Sequence, residues 1–142
     1  DDEVGEFIRQ EGREFGATTG RARRTGWVDL PALKYAIMVN GVTELTMMKA
    51  DVLDKFDTIK ACTHYIINGE RFDYFPYDIT DCEVTPVYEE LKGWNCDLTA
   101  LNDWSKAPRA LIDYVSYLER NLEVPITVVS VGPDRKQTLN TK

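Results

Sequence analysis

Three arginines, two adjacent hydroxyls and several glycines fall within Gly16-Ala17-Thr18-Thr19-Gly20-Arg21-Ala22-Arg23-Arg24-Thr25-Gly26-Trp27. No apolar period of two or 3.6 runs through the stretch, so it reads as a loop. Arginine carries a permanent charge and a planar fork of donors that matches carboxylates and phosphates. Glycine lets the backbone come close to a ligand. A loop of this make-up is suited to holding small anions. Between Arg13 and Trp27 four arginines stand against one acid, Glu14, on a chain of formal net charge −7 and pI near 4.7. A cationic loop on an acidic body fits a small anion in a cleft. It fits a nucleic-acid backbone poorly, because duplex binders spread positive charge over a whole face.

Two further segments carry candidate chemistry. Lys49-Ala50-Asp51 follows an apolar run, Val42–Met48. A carboxylate there could accept hydrogen bonds from N1–H and the exocyclic amine of guanine, and a neighbouring lysine could lay its methylene stem over the base. Adenine presents the opposite donor–acceptor pattern. Taken alone, the tripeptide reads more plainly as a solvated Lys–Asp pair. Ser130-Val131-Gly132-Pro133-Asp134-Arg135 closes another apolar run, and ligands of α/β folds gather at the carboxyl ends of strands. Alone it reads as a turn. The single histidine, His64, sits mid-strand and reads as structural. Met47, Met48, Trp94, Trp104 and Tyr114 read as packing residues. Glu70, Asp73, Asp78 and Asp81 lack calcium-loop spacing and read as a solvated loop. No phosphate-binding Gly-Lys-Ser/Thr loop and no nucleophile elbow occurs. Cys62, Cys82 and Cys96 lack metal-type spacing and read as reduced thiols of a cytosolic protein. No metal site is assigned.

The elements that must position these residues follow from patterning. Glu3–Glu11 reads as a short helix stopped by Gly12. Asp29 caps a second helix with Pro31 in its first turn and Asn40-Gly41 at its end. Val42–Met48 reads as a buried strand and Val52–Phe56 as a helical turn. Thr58–Ile67 is the clearest strand, with Ile59, Ala61, Thr63, Tyr65 and Ile67 on one face. Asn68-Gly69 turns it into a hairpin whose return is Phe72–Phe75. Thr85–Leu91 is a further strand. Ser105 and Pro108 open the best helix, with Leu111, Tyr114, Val115 and Leu118 at helical spacing. Pro125–Ser130 is a compact strand, and Asp134–Lys142 a polar tail. Strand–helix alternation combined with a hairpin predicts a mixed α and β domain, not a fully parallel sheet.

At 142 residues, 43% of them hydrophobic, the chain predicts one domain with a core of its own. No apolar run approaches the roughly 20 residues of a membrane span. The start, Asp1-Asp2-Glu3-Val4-Gly5, is neither a secretory leader nor an initiator methionine, so the expectation is a piece of something longer.

The order of these pieces resembles the adenylosuccinate synthetase family. That family shows E-F-G-A-T-T-G-R-P-R-R-x-G-W, here Glu14 through Trp27 with Ala22 in place of proline. It then shows R/K-Y-A and N-G, here Lys34-Tyr35-Ala36 and Asn40-Gly41. T-K-L-D-V-L-D follows, here Met48 through Asp54. P-V-Y-E-x-L-x-G-W and S-T-G-P-D-R come last, here Pro86–Trp94 and Ser130–Arg135. The resemblance implies the C-terminal domain of a P-loop-NTPase-like synthetase, a β-hairpin with flanking helices. It implies a GTP-dependent ligase that phosphorylates the 6-oxygen of IMP and lets the amine of L-aspartate displace that phosphate, giving adenylosuccinate, GDP and phosphate. The implied enzyme is cytoplasmic, magnesium-dependent and homodimeric.

By the same resemblance Ala17, Thr18, Thr19, Gly20, Arg21, Ala22 and Arg23 form the aspartate-binding loop. Arg21 also reaches IMP, and Arg23 the GTP side. Lys49, Ala50 and Asp51, with Ser130, Val131 and Gly132, recognise the guanine of GTP. The phosphate loop, the magnesium ligands and the catalytic aspartate and histidine belong to the N-terminal part, so residues 1–142 are expected to carry no catalytic residue and to be inactive alone. Ala22 lacks proline's φ restraint, so the free loop is expected to cost more to order. Two rival readings stand beside the ligase: a stand-alone Arg-loop module that binds nucleic acid, and a non-catalytic interaction domain. The ligase reading requires the arginine loop and the Lys49–Asp51 pair to meet in one site.

Overall fold

The computed structural model describes residues 2–141. Helix α1 (Glu3–Glu11) starts where the Asp2 carboxylate accepts the Gly5 N–H at 2.7 Å, and ends at Gly12. Strand β1 (Val28–Asp29) leads directly into helix α2 (Leu30–Asn40). The Asp29 carboxylate caps α2 through the Ala32 N–H at 3.1 Å and also accepts the Tyr65 hydroxyl at 2.7 Å, tying helix to sheet. Gly41, at φ +61°, closes α2 in the left-handed conformation that glycine adopts at little cost.

The larger sheet is built around strand β3 (Thr58–Ile67). Strand β5 (Val84–Lys92) pairs antiparallel with it over its whole length. On the other edge β1 pairs parallel with its first half, and strand β4 (Glu70–Phe72) antiparallel with its end. Asn68 and Gly69 both take positive φ, the geometry that a two-residue Asn-Gly hairpin demands. The smaller sheet orders strands β2 (Leu45–Met47), β6 (Ile126–Ser130) and β7 (Thr138–Asn140), with β2 parallel and β7 antiparallel to β6. Helix α3 (Arg109–Leu122) lays Leu111, Tyr114, Val115, Leu118 and Leu122 into the core shared with Ile59, Ala61, Ile126, Val129 and Val131. Each fully buried aliphatic side chain of this set stabilises the fold by roughly 1.5–3 kcal/mol.

The mixed α and β architecture agrees with the sequence reading, and both α1 and β3 run as expected. Several boundaries are corrected. Val42–Met48 is not a buried strand. Only Leu45–Met47 finds a partner, β6, and Met48 is 62% exposed, so it does not pack in the core. The helical turn begins earlier than Val52, as a 3₁₀ turn over Ala50–Leu53. The hairpin return is Glu70–Phe72, because the two-residue turn brings Glu70 opposite Ile67 at once. Ser105 belongs to a separate 3₁₀ turn, Trp104–Lys106, and α3 starts only after Pro108. The tail is not plain coil: Asp134 caps a 3₁₀ turn over Arg135–Gln137, and β7 follows.

Nor do the alternate residues of β3 share one face. Ile59 and Ala61 enter the main core, whereas Tyr65 and Ile67 join Cys62 in a second cluster. A register shift between Cys62 and His64 inserts an extra residue and reverses the alternation.

Candidate functional site

The arginine loop stands on a narrow antiparallel neck. Phe15 and Ala22 form an isolated bridge, and the Arg23 N–H donates to the Glu14 carbonyl at 3.0 Å. Inside it, the Gly16 N–H donates to the Arg21 carbonyl and the Gly20 N–H to the Gly16 carbonyl, each at 2.8 Å. Gly20 sits at φ +65°, where a side chain would be strained. The neck holds Ala17 through Ala22 out in solvent, all exposed. Among the described residues the Arg21 guanidinium has no hydrogen bond or ion pair, so its donors are available.

Below the neck lies a cavity of about 330 Å³, within the roughly 300–1,000 Å³ of small-molecule pockets. It gathers Lys49 and Asp51 with Ser130 and Gly132, residues that the sequence separates by some 80 positions. Two elements bring them together: the turn after β2 and the turn after β6, adjacent because β2 and β6 pair in parallel. Both therefore open at the carboxyl end of the smaller sheet, where α/β folds bind ligands.

The polar groups of this cavity differ in how they are satisfied. Asp51 Oδ1 is buried and has no hydrogen-bond partner among the described residues. A buried carboxylate oxygen without a partner is costly unless a donor arrives, and Asp51 is one of the residues that line the cavity. Lys49 is held at φ +60°, in the left-handed region that non-glycine residues enter only under local constraint. Its ammonium donates to the Gly12 carbonyl at 2.8 Å and to Glu14. The second turn is braced from behind. The Gln137 side chain donates to the Thr99 carbonyl at 2.9 Å and accepts the Asp134 N–H at 3.0 Å. A Cβ on Gly132 would meet Gln137 Oε1 at 2.2 Å, so the turn lies close under that amide. Ala50 and Val131 are fully buried and do not line the cavity, so they pack behind the residues that do.

Ala17–Arg23 lie outside the lining of the cavity, so the two candidate halves do not share one wall. They share a residue instead. Glu14 Oε2 accepts from Arg23 Nη1 at 2.9 Å, while Oε1 accepts from Lys49 Nζ. The Lys49 hydrogen bond, and then the Arg23 one, hold the Glu14 carboxyl below the ordinary glutamate range. Sequence reasoning gave Glu14 no role. Its signal was its position as the one acid among four arginines.

Next to the Ala50–Leu53 turn, the Asp54 carboxylate accepts Trp94 Nε1–H and Leu98 N–H, each at 2.8 Å. Burial, only partly offset by those donors, raises its pKa. His64 Nδ1 lies 2.9 Å from the Thr63 hydroxyl and takes no part in the cavity. Cys62, Cys82 and Cys96 are all free, and burial pushes the Cys62 thiol up. Among the described residues no three His, Cys, Asp or Glu side chains converge as metal ligands, and no helix is long and apolar enough to cross a membrane.

A family model described as adenylosuccinate synthetase matches residues 1–139. The adenylosuccinate synthetase of Cytophaga hutchinsonii is 56% identical over 139 residues, covering 97% of this chain and 32% of that protein. That of Phocaeicola vulgatus is 59% identical over 138 residues, again 97% of this chain and 32% of the relative. Among solved structures, a fully ligated adenylosuccinate synthetase from Plasmodium falciparum superposes with a TM-score of 0.92 at 33% identity. It covers 100% of this chain, which spans 35% of that structure's chain. The chain thus spans about a third of the length of the relatives it matches.

Proposed function

Because the chain belongs to the adenylosuccinate synthetase family, we propose that it forms the C-terminal part of a GTP-dependent carbon–nitrogen ligase, and that it holds the guanine of GTP and the aspartate substrate. The observation that carries this reading is that Asp51, one of whose carboxylate oxygens is buried with no partner among the described residues, lines a cavity with Lys49, Ser130 and Gly132. In this reading Asp51 accepts guanine N1–H and the exocyclic amine. The Lys49 stem lies along the base, and the Ser130–Gly132 turn offers backbone groups to its edge.

The arginine loop holds the second substrate. Thr18, Thr19 and the loop amides, from Ala17 through Ala22, meet the aspartate carboxylates. The Arg21 fork binds a carboxylate and reaches toward IMP, and Arg23 leans toward the GTP side. The whole reaction is phosphorylation of the IMP 6-oxygen by GTP, followed by displacement of that phosphate by the aspartate amine. The product is adenylosuccinate.

This chain's own contribution is selection and orientation. Discrimination by Asp51 rejects purines that present an acceptor at N1 and no amine at C2, where guanine presents two donors. Holding aspartate in register converts a bimolecular attack into an effectively unimolecular one. The described residues do not fit magnesium, since no three ligand side chains converge. No step is derived through it, and we assign the ion and the phosphate loop to the rest of the polypeptide. A cytoplasmic homodimer is the family's setting for such a part.

The test is calorimetric titration of the chain with GDP and with ADP. The reading predicts GDP preference, and loss of that preference in Asp51→Asn, because two hydrogen bonds to a charged acceptor are worth about 1.5–3 kcal/mol each. Equal affinity for the two nucleotides in the unaltered chain contradicts it.

A further inference from the structure

One carboxylate stands between the base-sized cavity and the arginine loop. Glu14 receives Arg23 on one oxygen and Lys49 on the other. Its main-chain carbonyl also receives the Arg23 N–H at 3.0 Å, which closes the neck of the loop. Lys49 is further tied to the Gly12 carbonyl and held at positive φ, so its head is held in place while the residue lines the cavity. Glu14 is the least exposed of the three, with its side chain 22% accessible against 58% for Arg23 and 51% for Lys49. Two more exposed cations are thus anchored on one less exposed anion. Displacing either alters what the other feels.

We infer that Glu14 is a positioning residue that couples the cavity to the arginine loop. It fixes the Lys49 stem as a wall of the cavity and, through Arg23, sets the stiffness of the loop neck. Occupancy of the cavity then stiffens the loop, and loop occupancy tightens the cavity by the same factor, since coupling between sites is reciprocal. The nucleotide side of this inference rests on the proposed base site. The Lys49–Glu14–Arg23 link is a property of the free chain.

The experiment is amide hydrogen exchange by NMR, read at Gly16, Gly20 and Arg23, the donors that close the loop. Lys49→Met keeps the stem and removes the ammonium. It is expected to speed exchange at these amides about three-fold, the scale of one exposed ion pair. Lys49→Arg, which returns a cation, is expected to restore slow exchange. In a Glu14→Gln background Lys49→Met is expected to add nothing further, because the two act through each other. The amides of β3 report the intact fold and stay unchanged. Unchanged loop exchange in Lys49→Met, or an undiminished effect in the Glu14→Gln background, overturns the coupling. Adding GDP separates the two layers. Slower loop exchange in the unaltered chain but not in Glu14→Gln supports the full inference. GDP that binds without slowing the loop refutes it. No GDP binding at all refutes the base site, while the Lys49→Met comparison still decides the link.

Discussion

Asp54 is where a single substitution most cleanly separates a structural carboxylate from a ligand-binding one. Its two oxygens accept the Trp94 indole N–H and the Leu98 backbone N–H, both at 2.8 Å. Trp94 and Leu98 are 7% and 1% exposed, so neither donor finds water easily once the acceptor is gone. Asp54→Ala strands both donors. Each buried unsatisfied donor costs about 1–3 kcal/mol. Against this, the substitution relieves the burial of a carboxylate whose pKa is raised mainly by desolvation. The net expectation is a loss of about 2–4 kcal/mol. With a urea slope of about 2 kcal/mol per molar, the unfolding midpoint falls by roughly 1–2 M.

The pH dependence fixes the sign of the ionisation effect. A carboxyl whose folded pKa lies above its unfolded value contributes its stability fully below the unfolded value of about 3.8, and loses it as pH rises through the raised folded value. The cost of Asp54→Ala is therefore expected to be largest at acid pH and to shrink as pH rises through that window. A urea midpoint unchanged by Asp54→Ala, or a cost that grows with pH across the window, refutes the reasoning.

Two other substitutions test separate parts of the account. In Gly93→Ala the new Cβ would sit 1.9 Å from the Phe56 carbonyl oxygen, a backbone atom that cannot move aside. The expected loss is at least about 3 kcal/mol, seen as low soluble yield or a collapsed thermal transition. On the proposed reading, Arg21→Leu in the intact ligase takes a guanidinium fork from aspartate and is expected to raise the aspartate KM by roughly 10–100-fold, with the GTP KM little changed. Steady-state kinetics at saturating GTP reads this directly, and an unchanged aspartate KM removes Arg21 from the loop's function.

Local rules sufficed wherever the fold is made by local forces. Asp29 as a cap, Gly12 and Gly41 as helix stops and Asn68-Gly69 as a hairpin turn all lie where sequence chemistry puts them. Failures came where a distant partner decides. The two-residue β1 exists only because β3 lies beside it, and β7 only because β6 offers an edge. The bulge at Cys62–His64 left no mark in composition, yet it sends Tyr65 and Ile67 to a different cluster from Ile59 and Ala61. At the site, Lys49, Asp51, Ser130 and Gly132 were each weak alone. It is the parallel β2–β6 pairing, invisible to periodicity, that sets them around one cavity. Glu14 escaped notice because its role is set by two cations, one nine residues away and one 35 residues away.

The central claim is that the cavity below the loop neck selects guanine. A crystal structure of this chain soaked with GDP tests it most directly. The account predicts the base against the Lys49 stem and the Ser130–Gly132 turn, with N1 and the exocyclic amine within hydrogen-bond reach of Asp51. Density for the nucleotide only along the arginines, with Asp51 Oδ1 still unpartnered, contradicts it.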